Sequence, residues 1–143
     1  MSIAGMLATA GLAGAAAIHA VWAFTPWPAP DRATLARIVL GSEDDDVPWL
    51  PACLGMAGVL AGAAYVVAAK ADVVPAVGPD PLYTAGAWAI AGGLLLRGTA
   101  FPAVMAWRDD DSTEFRSWDL KVFAPICIVL GGLSLVVALS GQG

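Results

Sequence analysis

Apolar residues fall into four runs of roughly 20 along the 143-residue chain, separated by stretches where proline and charge collect. The runs lie near 3–24, 49–69, 82–104 and 120–139. Each is long enough to cross a bilayer as a helix. Little chain remains for anything else. The pattern predicts an all-α fold, a four-transmembrane-helix bundle forming a single membrane domain over 1–143.

The connection 25–48 opens with Pro26, Pro28 and Pro30, which stop the first helix. Asp31 then caps a predicted short helix over 32–40, with Leu35, Ile38 and Val39 on one side. This reads as a short amphipathic helix in the first loop, lying at the membrane surface or closing the bundle mouth as a lid. The connection 70–81, with Pro75, Pro79 and Pro81, reads as a stiff turn. Small residues crowd the first helix (Gly5, Ala8, Gly11, Ala15) and recur as Gly55, Gly58 and Gly62, predicting close helix packing.

Composition agrees with the pattern. The chain is 59% hydrophobic and 13% charged, with mean hydropathy +0.74. The first run lacks the basic flank of a secretory signal, so it is expected to be retained. Arg32, Arg37, Arg108, Arg116 and Lys121 flank the first and third connections, against Lys70 alone at the other end. The positive-inside rule then predicts a multi-pass cell-membrane protein with both longer loops in the cytoplasm and both termini outside. The acidic tracts Glu43–Asp46 and Asp109–Asp111 account for a pI near 4.4 and argue against nucleic acid as a partner. They have no histidine beside them and read as solvated loop faces, so no metal site is expected. Cys53 and Cys127 form no C-x-x-C and read as small apolar residues, and a lone histidine gives no paired haem ligands.

Candidate chemistry lies inside the runs. His19 and Trp22, one turn apart, share a face of the first helix. Threading four antiparallel helices brings His19, Trp22, Arg97, Trp118 and Asp119 to one depth. An unpaired Arg or Asp at mid-bilayer costs on the order of 3 kcal/mol. Arg97 is therefore expected to pair with Asp119, with His19 hydrogen-bonding nearby and Trp22 covering the pair. Trp22, Trp88 and Trp118 would line an apolar pocket, while Trp27, Trp49 and Trp107 read as an interfacial belt.

Three stretches carry a resemblance: His19-x-x-Trp22, Arg97-Gly98, and the segment from Trp118-Asp119 to Pro125-Ile126-Cys127. Together they resemble the DUF3995 family of small bacterial four-helix membrane proteins, although Ala124-Pro125-Ile126 stands where that pattern has Ser-Pro-Leu. The resemblance implies the fold and the shared polar positions and names no reaction.

Three functions follow from the residues. The first is a binder of, or enzyme on, an apolar isoprenoid-like molecule: Asp119 or His19 (or Glu114) as the acid starting a cyclisation or isomerisation, Trp22, Trp88, Trp118 and Arg97 as ligand-binding residues, and no cofactor. The second is a non-catalytic accessory subunit whose buried His, Arg and Asp fix helix register. The third, a transporter or proton channel, is disfavoured because the outer half offers only Ser, Thr and Tyr groups such as Tyr65 and Thr84.

Overall fold

The computed structural model describes residues 2–40, 49–107 and 113–140, with side chains in the last segment from Phe115 onward. The acidic tracts, Arg108 and the Glu114 side chain lie outside the described residues. Every regular element among those described is helical: α1 (Ile3–Phe24), α2 (Arg32–Val39), α3 (Trp49–Lys70), α4 (Asp80–Trp107), α5 (Thr113–Trp118), a π-helical turn (Asp119–Phe123) and α6 (Ala124–Ser140). Four helical segments are long and apolar enough to cross a membrane, the fourth running without a break from Phe115 to Ser140.

Local chemistry sets the ends. Ser2 accepts the Gly5 backbone N–H at 3.0 Å to start α1, and Thr25, in extended backbone before Pro26, stops it. Asp31 starts α2 by accepting the Thr34 backbone N–H at 2.7 Å. α3 ends in a paired-carbonyl cap, with Asp72 in the left-handed region at φ 58° and Val73 N–H returning to the Ala68 carbonyl at 2.8 Å. α4 starts two residues before the expected 82, because Pro81 falls in the first turn, where a missing N–H is harmless. It also continues through Pro102 to Trp107, three residues past the expected end.

The four long helices form a ring in the order α1, α3, α4, α6. Packing is most extensive within two pairs, α1 with α3 and α4 with α6. Toward the 71–79 loop, Ala8 and Leu12 of α1, Ala64 and Val67 of α3, and Leu130 and Val137 of α6 share one buried cluster, flanked by Ile90 and Leu94 of α4. At the opposite end the buried cluster is Trp22, Ala23, Leu35 and Cys53, drawn from α1, α2 and α3 only. There α4 and α6 are joined separately, and α2 packs across onto α5. The first-loop helix thus lies over the end of the bundle and touches the other pair.

Close packing is real at Gly5 and Gly11 of α1, where a Cβ would collide with Ala71 Cβ and Leu130 Cδ2 respectively, but not at the expected glycines of α3. Gly55, Gly58 and Gly62 have no neighbour where a Cβ would stand and face outward, so their spacing reports no contact within this chain. The tight crossing is at Gly98 on α4. A Cβ there would stand 2.9 Å from the Ala124 carbonyl oxygen and 3.1 Å from the Ile128 nitrogen of α6. Backbone cannot retreat as a side chain can.

Two outcomes follow. Gly98→Ala is expected to destabilise the detergent-solubilised protein by about 1–3 kcal/mol in thermal unfolding, while Gly58→Ala leaves it unchanged. Asp31 is held below the ordinary carboxylate range because Thr34 donates to it through both backbone and side chain. Its support of α2 is therefore complete above an unfolded value near pH 4 and fades as pH falls through the depressed value. Amide-exchange protection of α2 should drop below about pH 4 in the native chain, and stay level across that window in Asp31→Asn, which caps without titrating.

Candidate functional site

Asp119 is the most buried ionisable side chain at the strapped end, with 2% of its surface exposed. It opens the π-helical turn, and its carbonyl accepts the backbone N–H of Ala124 five residues on. Pro125 explains the wider turn: it has no N–H to give, and its ring crowds the carbonyl four residues back. Such single wide turns often sit at functional sites.

Arg97 reaches Asp119 from α4, with Nη2 donating to Oδ1 at 2.7 Å. This is a short, charge-assisted bond that joins α4 to the turn leading into α6. The guanidinium carbon lies 4.2 Å from the centre of the Phe101 ring, one turn along α4, and Phe101 in turn meets Phe115 edge-on. Arg97 keeps 34% of its side chain exposed, yet its Nη1 is shielded and finds no acceptor among the described residues.

His19 stands apart from this pair. Its Nδ1 meets the Ala15 carbonyl of its own helix at 2.7 Å, and its ring tilts against Trp22 with centroids 5.1 Å apart. The expected bond from His19 to the pair is not among the described contacts; its one described hydrogen bond, through Nδ1, stays within α1. Trp22 does not cover Arg97 and Asp119 either. Its indole N–H donates to the Trp27 carbonyl at 2.9 Å, and its own carbonyl accepts the Trp49 indole N–H. Trp22 is the knot that ties the first loop to α1 and α3.

Trp88 and Trp118, expected to line the pocket, are 40% and 43% exposed and turn away from the interior. Trp27 and Trp107 are more exposed still, as interfacial residues would be. Cys53 is buried against the Trp22 cluster, and both cysteines are free thiols. Among the described residues, no group of three or more His, Cys, Asp or Glu side chains could hold a metal ion.

Two polar walls therefore flank the strapped end. His19 lies on the α1 stripe that continues from Ala8, Leu12 and Ala15, and Arg97 on the α4 stripe that continues from Ile90 and Leu94. Nearer the 71–79 loop these stripes meet one shared core. At the strapped end they carry polar groups instead, and the described hydrogen bonds of each group stay within its own helix pair. Phe101 was not singled out from sequence, although its i+4 spacing from Arg97 held the clue.

Because the imidazole and the ion pair share no described contact, their contributions to stability should be separable. The melting-derived losses in His19→Ala and Asp119→Ala are expected to add in the double variant to within about 0.5 kcal/mol. A larger coupling would show that the two walls touch.

The family model described as "Protein of unknown function (DUF3995)" matches residues 12–134, a range that includes His19, Arg97 and Asp119. The chain belongs to that family. No curated protein and no solved structure matches it.

Proposed function

We propose that this DUF3995 member is a multi-pass membrane protein that binds an apolar, isoprenoid-like small molecule between its α1–α3 and α4–α6 pairs. The site lies at the end strapped by α2 and α5, and the arginines of the first and third connections support a cytoplasmic position for that end. One observation carries the reading. The common core of the four helices gives way at this end to two polar walls with separate hydrogen bonds, where an ordinary bundle would continue its apolar packing. Facing helices of a bundle are where small-molecule sites are built. α2 serves as the lid, anchored by Asp31 at its start and seated on α5.

Binding is favoured over acid chemistry. An acid-initiated cyclisation or isomerisation needs Asp119 to release a proton, and the 2.7 Å bond from Arg97 holds it as an acceptor. A second reading, a structural subunit in which the pair fixes helix register, is supported by the pair's position beside the Gly98–Ala124 crossing.

The two readings separate in one experiment. A photoactivatable farnesol analogue added to the protein in lipid nanodiscs should label α1 around residues 15–22 and α4 around 94–101. Asp119→Asn, which keeps an acceptor oxygen toward Arg97, should reduce that labelling severalfold with little change in melting temperature. Labelling confined to outward-facing positions such as Leu96 and Val129, with a large fall in melting temperature for the variant, would favour the register device.

A further inference from the structure

His19 sits at the middle of the buried face of α1 and yet keeps part of its surface open. Counting about 100° per residue, Ala16 and Trp22 lie about 60° to either side of it, and Leu12 stands two turns back almost in line. All three are buried, as is Ala23 one turn on. His19 alone of this set is only half-buried. A side chain flanked by buried neighbours stays open only where the facing helices stand off. The open part of the ring therefore faces into the bundle and away from lipid.

The ring's own hydrogen bond fixes what that open part can do. A carbonyl oxygen only accepts, so the 2.7 Å contact with Ala15 places a hydrogen on Nδ1. In the neutral ring the lone pair is then on Nε2. His19 makes no ion pair among the described residues, and Asp119, the buried acid at its depth, is held by Arg97. A spanning helix carries such a ring neutral. Nε2 has no hydrogen-bond partner among the described residues, and unlike Arg97 Nη1 it is not closed off by surrounding atoms.

An open acceptor on an otherwise apolar face calls for a donor from outside the polypeptide. Hydrocarbons, ethers and ketones have no hydrogen to give. Carboxylic acids and phosphate esters bring a charge that would have to leave water without a counter-ion. A hydroxyl gives a hydrogen and brings no charge. Building on the ligand-binding reading above, we infer that the ligand is an apolar alcohol whose hydroxyl donates to His19 Nε2 from inside the bundle.

His19 is the only histidine in the chain, so histidine labelled with the heavy nitrogen isotope gives just two ring resonances. Three probes share one tail: farnesol (hydroxyl), farnesyl methyl ether (an oxygen without a hydrogen) and farnesane (hydrocarbon). On the full chain in detergent, corrected for uptake by empty micelles, farnesol should bind about fivefold tighter than the ether, the return of one uncharged hydrogen bond. The spectrum without a probe should show a protonated Nδ1 and a bare Nε2. Farnesol should move the Nε2 resonance upfield, and the ether should not. His19→Phe keeps a ring against Trp22 but has no lone pair, and should bring the farnesol-to-ether ratio to about one. An ether that binds as tightly as farnesol, or a preference that survives in His19→Phe, would overturn the hydroxyl inference and leave the binding reading standing. So would a protonated Nε2, or an Nε2 signal that bound farnesol leaves in place because water already serves it. Failure of all three probes to bind would remove both.

Discussion

The bond between Arg97 and Asp119 can exist only because two helix backbones come unusually close. Gly98 lets α4 settle onto the Ala124 carbonyl of α6, which brings the guanidinium within reach of a carboxylate that would otherwise be stranded in an apolar setting. The wide turn at Asp119–Phe123 then aims that carboxylate inward. Packing, backbone geometry and charge are one constraint here, and the α4–α6 pair behaves as a unit because of it. The partner unit, α1 with α3, is held by apolar contact and by the tryptophan hydrogen bonds around Trp22.

The two ends of the ring are built on different principles. At the 71–79 loop, the Tyr83 hydroxyl bridges both backbone groups of Val77 and lies 3.4 Å from the Tyr65 hydroxyl, while Lys70 meets Asp80 at 3.0 Å. Together with the shared core, these contacts make that end a closed hinge point. The opposite end is spanned by short helices that belong to the connections themselves. An element in a connection can move without disturbing a membrane-crossing helix, which is the property a lid requires.

Much of this was legible in the sequence, for physical reasons. Runs of about 20 apolar residues have few stable outcomes other than spanning helices, so the four segments and the capped α2 follow from length, proline and Asp31. The Arg97 partner was legible too, since Asp119 is the acid that the threading brings to its depth. What sequence could not give was azimuth. His19 shares a depth with the ion pair, but which neighbour a side chain meets depends on rotations about helix axes set by contacts such as Gly98 on Ala124. The outward turn of Trp88 and Trp118, and the bare faces at Gly55, Gly58 and Gly62, have the same origin. A glycine pattern records that a backbone can approach, not that anything does.

The widened turn before α6 has a consequence for the chain's arithmetic. Counted against a regular helix, the stretch from Asp119 to Phe123 holds one surplus residue, which the wider turn absorbs; tightening that turn to 3.6 residues with the same sequence would pass the surplus on to the flanking register. Every position on the N-terminal side would then swing by about 100° relative to α6. Asp119 would leave the guanidinium and turn toward lipid, although no residue facing Arg97 had been substituted. The electrostatics of the interior therefore hang on a single unit of spacing.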